Sequence, residues 1–263
     1  MTALRTSLES LVRRGGELAL RRQREWQETE PDADRAELKD DGTEVTAADR
    51  EVQDLLVSGL ADLFPHDAIR GEEGAAVTGT SGATWYVDPI DGTSSFIEGL
   101  AHWGPTVCRI TDGRLDAGIF YQPRVDDMWY AEKGAGGWRN AVRLRCGAAT
   151  RRERNQVLCG PSRLHRTGPI PWTGKIRVLG SSAAHLALVA AGGAAVTVIP
   201  EWSMWDVGCG VLLVEEAGRV VCDMRGSRVD VAAVHEGTPL VAGAPEAVDR
   251  LITAWWAERG QST

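Results

Sequence analysis

Two aspartates three positions apart, Asp88 and Asp91, carry the clearest chemical signal in this sequence. They follow an apolar and aromatic run at residues 85–87 and precede Gly-Thr-Ser at residues 92–94. The run predicts a buried strand, and the residues after it predict a tight turn at the strand's end. Carboxylates on a turn beside free backbone N–H groups can bind hard cations together with the phosphate that those cations neutralise. The spacing therefore points to metal-dependent chemistry on a phosphate group.

Three more acids, Asp49, Glu72 and Asp206, stand at the ends of predicted helices or strands. Mg²⁺ prefers oxygen ligands at about 2.0–2.1 Å in octahedral geometry. Two such ions about 3.5–4 Å apart can hold both the attacking and the leaving oxygen of a phosphoryl displacement. A site of this kind needs carboxylates from several segments, and their repulsion disfavours the cluster without the ions. These three acids, together with the pair Asp88 and Asp91, therefore suggest one metal centre.

Each of these acids also has a structural explanation. Residues 46–49, Thr-Ala-Ala-Asp, match a helix capping box that uses Asp49. Glu72 lies in a Gly-Glu-Glu-Gly turn, and Asp206 lies at a predicted helix start, where an acid offsets the helix dipole. Taken singly, the structural explanations are favoured for these three. The pair Asp88 and Asp91 favours function, because an Asp-Gly turn does not account for a second acid at the end of a buried strand.

The Gly-Thr-Ser segment adds the second half of a phosphate site. Gly92 lets the backbone approach a ligand closely, and consecutive N–H groups can form an anion-binding nest. A helix that begins at Thr93 or Ser94 would point its N-terminus at the phosphate. The alternative is a simple helix cap, so this signal gains its weight from the neighbouring acids.

Hydrophobic periodicity predicts alternating helices and strands around these motifs. Residues 28–41 are polar and acidic, which predicts a mobile loop, and residues 134–137 predict a hairpin turn. An arginine-rich stretch then suggests a boundary between subdomains at 1–147 and 148–263. The predicted helices cover 3–28, 46–64, 182–191, 205–217 and a segment from Pro245. The predicted strands cover 69–71, 85–87, 106–110, 117–121, 128–131, 156–159, 176–179, 196–199, 219–222 and 240–242.

The composition excludes several classes of protein. The 263 residues are 43% hydrophobic and 25% charged, as in ordinary globular proteins, and the formal net charge of −8 argues against a surface that coats a nucleic acid polymer. Five scattered cysteines without Cys-x-x-Cys spacing disfavour disulfides and structural zinc, and they favour a reducing cytosol. The first 20 residues mix charged and apolar side chains and are typical of neither a signal peptide nor a membrane span. We therefore expect a cytoplasmic protein with no membrane partner.

Taken in order, four segments resemble the inositol monophosphatase family of lithium-sensitive, magnesium-dependent phosphatases. They are Val-Thr-Ala-Ala-Asp at 45–49, Gly-Glu-Glu at 71–73, Asp-Pro-Ile-Asp-Gly-Thr at 88–93, and Trp-Asp-Val at 205–207 followed by Glu-Glu-Ala-Gly at 215–218. The resemblance implies a layered α/β protein, the αβαβα five-layer sandwich of the inositol monophosphatase and fructose-1,6-bisphosphatase type. It also implies a homodimer, with most metal ligands in the N-terminal subdomain and Asp206 in the C-terminal one.

The resemblance further implies two to three Mg²⁺ ions and a role for each motif residue. One ion would be held by Glu72, Asp88 and the Ile90 carbonyl, and a second by Asp88, Asp91 and Asp206. A third, weaker ion would be held through waters by Asp49 and Glu72. The implied catalytic residues are Asp49, Glu72 and Thr93, of which Asp49 and Thr93 orient the attacking water. The implied phosphate and substrate contacts are Asp91, Gly92, Thr93, Ser94, Gly180, Ser181, Ser182 and Asp206.

The substrate-reading half of the family pattern is altered in this sequence. Family members that hydrolyse inositol phosphate have a glutamate seven positions before the Trp-Asp aspartate, and this chain has Ile199 there. Ser203 replaces a frequent histidine, and Ala195 replaces the acid of a Gly-x-Ala-Asp segment. We infer that inositol monophosphate is not the preferred substrate. Whether Glu201, Arg163 or His165 reaches the pocket stays open at this point.

The sequence therefore predicts a Mg²⁺-dependent phosphomonoesterase that uses a metal-activated water. Its expected partner is a small phosphate ester, namely a sugar, polyol, histidinol or nucleoside phosphate. One alternative is a 3′- or 5′-nucleotidase of the same family. Another is a non-enzymatic relative that binds metal or a phosphorylated ligand. The complete set of acids favours an enzyme, because a pure binder need not keep a water-activating pair.

Overall fold

A computed structural model describes residues 2–29, 36–40, 42–74, 76–145, 152–162, 164–233 and 239–260. Within these residues the α-helices are α1 Ala3–Thr29, α2 Ala47–Leu63, α3 Thr93–Ile97, α4 Ser182–Ala190, α5 Met204–Glu216 and α6 Pro245–Glu258. Short 3₁₀ helices cover Glu153–Asn155 and Leu164–Thr167. None of the helices in the described ranges combines the length and apolar character needed to cross a membrane.

The described strands form one hairpin and two larger sheets. The hairpin pairs β1 Glu37–Leu38 with β2 Glu44–Val45. The eight-stranded sheet contains β3 Ala68–Gly71, β4 Ala76–Val77, β5 Ala83–Asp91, β6 Gly104–Thr111, β7 Arg114–Gln122, β8 Asp127–Glu132, β9 Gly136–Arg139 and β10 Val142–Arg143. Its spatial order is β10-β9-β8-β7-β6-β5-β3-β4. The five-stranded sheet contains β11 Val157–Cys159, β12 Lys175–Arg177, β13 Val196–Ile199, β14 Val220–Cys222 and β15 Leu240–Gly243, in the order β12-β11-β13-β15-β14.

The helices and sheets stack as five layers. Helices α1 and α2 pack on one face of the eight-stranded sheet, α4 and α5 lie between the two sheets, and α6 covers the outer face of the smaller sheet. Successive residues of β5 show why both faces of that sheet are covered, since Trp85 and Val87 join the core under α1 and α2 while Tyr86 joins the core under α5. This arrangement confirms the predicted αβαβα sandwich.

Local signals predicted most helix and strand positions. Helix α2 begins after Thr46, whose side chain accepts the Asp49 N–H, and Pro245 opens α6 at its first turn. Both helices were predicted from these cap residues. Strand β12 differs from its predicted range of 176–179, because it ends at Arg177. The backbone N–H of Leu179 instead donates to Nε2 of the buried His185, 3.0 Å away.

Two loop predictions differ from the structure. The predicted loop at 28–41 was wrong where α1 extends to Thr29 and where Glu37–Leu38 form the first hairpin strand, whose turn is closed by Lys39 N–H to the Thr43 carbonyl at 2.8 Å. Composition could not predict this strand, because both of its residues are exposed and it forms by pairing of Glu37 with Val45 in β2. Residues 30–35 and 41 lie outside the described residues. The predicted turn at 134–137 is shorter, because Gly136 begins β9 and pairs with Glu132. Gly136 has φ of 118°, a backbone conformation that favours glycine, and this explains the residue at the start of β9.

Candidate active site

A β-bulge places both aspartates of β5 in one cavity. In a regular strand, side chains three positions apart point to opposite faces. The pairing of β5 with β6 shifts between Asp88, opposite Thr106, and Asp91, opposite Gly104, so β5 carries one extra residue there. Both aspartates consequently line the same cavity. The Ile90 N–H inside the bulge donates to Asp88 Oδ1 at 2.8 Å and holds that carboxylate in place.

Three segments bring a carboxylate oxygen to the same point. Glu72, Asp88 and Asp206 each offer one oxygen, and these atoms lie within 4.8 Å of one another. Glu72 follows β3, which runs parallel to β5, so the ends of the two strands meet at one sheet edge. Asp206 lies in the first turn of α5, where the Ser203 N–H donates to its Oδ2 at 2.6 Å. An all-oxygen set of this kind suits a hard cation such as Mg²⁺.

Burial and nearby negative charge disfavour ionisation of three aspartates in the cavity, Asp88, Asp91 and Asp206. Burial raises the pKa of Asp88 well above its usual value, and the neighbouring Glu72 and Asp91 raise it further. The pKa of Asp206 is also raised well above its usual value by burial and by the same two neighbours. Burial raises the pKa of Asp91 to about 6, although hydrogen bonds from Ser181 and from backbone N–H groups oppose the shift. A bound divalent cation would remove this penalty, so the donor set fits the metal that the sequence predicted.

Lys39 is a member of this site that sequence reasoning missed. Its Nζ lies 2.8 Å from Glu72 Oε1 and 2.5 Å from Glu73 Oε1. Although burial opposes its charge, these two hydrogen bonds raise the pKa of Lys39 above its usual value. The hairpin between β1 and β2 carries this lysine to the acid cluster. No spacing rule links it to the acids, and the only signal was a cation within an acidic segment.

Asp49 and Thr93 form the hydrogen-bonded pair that links α2 to the turn after β5. Thr93 Oγ1 lies 3.2 Å from Asp49 Oδ1 and 3.1 Å from the Ile90 carbonyl oxygen. The other Asp49 oxygen, Oδ2, accepts the Thr46 N–H at 2.8 Å, which completes the capping box. Asp49 therefore serves both purposes, because Oδ2 caps the helix and Oδ1 contacts Thr93 in the site. Burial raises the pKa of Asp49 to about 6, against the hydrogen bonds from Thr46.

The turn after β5 forms a backbone cradle at the cavity. Gly92 has φ of 93°, in the left-handed region that favours glycine, and α3 begins at Thr93. A Cβ at Gly92 would lie 3.1 Å from the Gly180 carbonyl oxygen, so the close approach of the two turns also requires glycine. Gly92, Thr93, Ser94 and Gly180 all line the cavity.

The N-terminus of α4 holds Asp91. Ser181 Oγ donates to Asp91 Oδ2 at 2.5 Å, Ala183 N–H donates to the same oxygen at 2.7 Å, and Ser182 N–H donates to Oδ1 at 3.1 Å. Ser181 and Ser182 therefore contact Asp91 and are absent from the described cavity wall. Their role as phosphate contacts stays a prediction. His185 is buried within α4, where its Nε2 accepts the Leu179 N–H.

The cavity has a volume of about 810 Å³, and the segments that follow β11 and β13 form part of its lining, which we call the second wall. Ile199 is fully buried in β13, whereas the exposed Glu201 lines this second wall. Arg163 and the side chain of His165 lie outside the described residues. The cavity is lined by Leu38, Gly42, Thr43, Glu44, Glu72, Asp88, Ile90, Asp91, Gly92, Thr93, Ser94, Pro161, Ser162, Arg166, Gly180, Pro200, Glu201 and Asp206. Arg166, which the sequence analysis did not single out, is thus part of the site.

A sequence model of the inositol monophosphatase family matches residues 3–259, which is nearly the whole chain. The layered fold and its acid-lined cavity accordingly belong to a phosphoric monoester hydrolase. This chain belongs to the inositol monophosphatase family.

Individual relatives support the same assignment. The chain is 32% identical over 217 residues to an inositol-1-monophosphatase of Mesorhizobium japonicum, covering 78% of this chain and 82% of the relative. It is 32% identical over 212 residues to a histidinol-phosphatase of Chlorobaculum parvum, covering 78% and 80%. Among solved structures, the extragenic suppressor protein suhB of Bartonella henselae superposes with a TM-score of 0.85 at 27% identity, covering 96% of this chain and 98% of that protein.

Proposed function

We propose that this protein is a Mg²⁺-dependent phosphomonoesterase that hydrolyses a small phosphate ester by attack of a metal-activated water. The observation that carries the proposal is the convergence of Glu72, Asp88 and Asp206, with carboxylate oxygens within 4.8 Å of one another. The backbone cradle at Gly92 lines the same cavity. The groups that would bind the cation and the groups that would bind the phosphate therefore line one cavity.

The acids of the cluster would hold Mg²⁺, together with Asp91 and the Ile90 carbonyl. When bound, Mg²⁺ neutralises phosphate oxygens and lowers the pKa of a coordinated water. The family resemblance suggests two to three ions. The N–H groups of the cradle would bind the phosphate oxygens and keep the ester in line for attack.

Asp49 and Thr93 are proposed to orient the attacking water. The Thr93 hydroxyl bridges Asp49 Oδ1 and the Ile90 carbonyl, so its oxygen is held at a fixed point beside the cluster. A buried carboxylate that is hydrogen-bonded to this hydroxyl is placed to accept a proton from the water. The pair would therefore position the water and take its proton.

Removing the Thr93 hydroxyl tests this role. Thr93→Val keeps the shape of the side chain but deletes the hydrogen bonds to Asp49 and Ile90, so we expect kcat to fall by about 100-fold or more. Steady-state phosphate release with Mg²⁺ measures the loss. Thr93→Ser keeps the hydroxyl and serves as the matched control. Equal kcat values for Thr93→Val and the unchanged protein would exclude the proposed role.

A phosphate-release screen tests the function and its substrate class together. We expect Mg²⁺-dependent release from p-nitrophenyl phosphate that EDTA abolishes, since the acids need a cation to accept a phosphate. We also expect inositol 1-phosphate to be slower than the best of a set of sugar, histidinol and nucleoside phosphates, because Ile199 is buried and supplies no acid to the cavity. No release with any divalent cation would contradict the phosphatase proposal. An inositol 1-phosphate rate equal to the best alternative would contradict the substrate proposal alone.

The two alternative functions are less well supported. The described cavity wall contains no aromatic side chain on which a nucleobase could stack, which disfavours a nucleotidase. A purely binding relative would not require the hydrogen bond between Thr93 and Asp49. We further propose, from the family resemblance, a cytoplasmic homodimer with subdomains at 1–147 and 148–263. Light scattering would measure the assembly.

A further inference from the structure

Two charged side chains lie on the second wall of the cavity. Arg166 lies in the 3₁₀ helix after β11, and Glu201 lies just after β13. Strands β11 and β13 are parallel neighbours, so the segments that follow them open at the same edge of the smaller sheet. Both residues are exposed and line the cavity. Packing of the smaller sheet therefore builds a wall that a leaving group would meet.

Arg166 is the cation of this wall. Among the described lining residues it is the one basic side chain, whereas the acids include Glu44, Glu72, Asp88 and Asp206. Arg166 is exposed where it lines the cavity. The planar fork of its guanidinium matches a carboxylate or a phosphate with two parallel hydrogen bonds.

The surrounding charge makes this position selective. Glu44 and Glu201 are the acids of the described cavity wall that the proposed metal site does not use, and they repel an anion on the leaving group unless a cation offsets them. A volume of about 810 Å³ leaves room for a leaving group that extends from the cradle at Gly92 to the second wall. The lack of aromatic side chains in the described wall suits an aliphatic group, and Glu201 can accept hydrogen bonds from its hydroxyls.

We propose that Arg166 binds a second anionic group, a carboxylate or a phosphate, on the leaving group of a non-aromatic phosphate ester. This inference rests on the proposed phosphatase function and names the substrate class of that site. Esters with such a second anion are therefore hydrolysed with a higher kcat/KM than otherwise matched esters without it.

Two matched substrate pairs separate the carboxylate from the phosphate. 2-Phosphoglycerate differs from glycerol 2-phosphate by a carboxylate in place of a hydroxymethyl group, and glucose 1,6-bisphosphate differs from glucose 1-phosphate by a second phosphate. We expect the second anion to raise kcat/KM by about 10-fold or more in at least one pair, as for a hydrogen bond between charged groups. The pair that shows the preference identifies the anion.

Arg166→Gln should lower kcat/KM for the ester with the second anion about 10-fold more than for its matched partner, mainly through KM. Arg154→Gln is the control, because Arg154 is an exposed arginine outside the cavity wall and should keep the preference. No preference in either pair, or equal losses for both members of a pair in Arg166→Gln, would overturn the inference. Failure of the proposed function itself is recognised separately, as the absence of Mg²⁺-dependent release from p-nitrophenyl phosphate.

Discussion

Asp91→Asn is expected to lower Mg²⁺-dependent phosphate release by about 10³-fold. Asp91 is 6% exposed and accepts hydrogen bonds from Ser181, Ser182 and Ala183. The amide keeps the size of the side chain, but it removes the negative charge that the proposed metal site needs. The NH₂ group of the asparagine would also face hydrogen-bond donors at the start of α4, which it cannot accept from. Initial rates at saturating Mg²⁺ and substrate measure the effect.

A carboxylate elsewhere in the same sheet provides the control for this variant. Asp116 lies in β7, pairs with Arg109 at 3.0 Å and is absent from the cavity wall. Asp116→Asn should keep kcat near the unchanged value, and circular dichroism should show that both variants are folded. A folded Asp91→Asn protein with unchanged kcat would contradict the assignment of Asp91 to the site.

The second large effect concerns the stability of the metal-free protein. Burial raises the pKa of both Asp49 and Asp91 to about 6, above the value of about 3.9 for an unfolded chain. The folded state then binds more protons than the unfolded state, so the free energy of unfolding falls as pH rises from about 4 through 6. Each group contributes a loss on the order of 3 kcal/mol by pH 7. In EDTA we therefore expect a lower Tm at pH 8 than at pH 5.

Mg²⁺ should reverse this loss. At pH 8 Asp49 and Asp91 are above their pKa of about 6 and carry negative charge, so the cation is expected to raise Tm strongly, whereas at pH 5 protons compete for the same oxygens. Thermal unfolding at both pH values, with and without Mg²⁺, measures the difference. Asp88→Asn should reduce the Mg²⁺ shift, and Asp116→Asn should not. A Mg²⁺ shift at pH 5 as large as that at pH 8 would argue against binding by these acids.

The candidate site shows where reasoning from sequence succeeds. The cap at Thr46 and the helix start at Thr93 depend on atoms within four residues, so residue type and spacing predict them. The acids after β3 and β5 could be placed at strand ends for the same reason. Their convergence followed from a family resemblance rather than from any local rule.

Other features of the site depend on contacts between distant segments. The bulge that directs both Asp88 and Asp91 into one cavity exists because the pairing of β5 with β6 shifts by one residue between them. The contact of Lys39 with Glu72 spans 33 residues and requires the hairpin to fold back. Nothing in the residues near Lys39 indicates that pairing, so it was predicted as part of a loop.

The sequence by itself determined most of the helices and strands, the acids that end them and the family to which the chain belongs. Only the tertiary structure decided that Ile199 is buried, that Glu201 and Arg166 face the cavity, and that Asp91 is held by α4. Periodicity and caps act between near neighbours, whereas the direction of a side chain at a strand end depends on which distant strand or helix packs beside it. For that reason the proposed chemistry could be predicted from motifs, while the proposed substrate class required the assembled cavity.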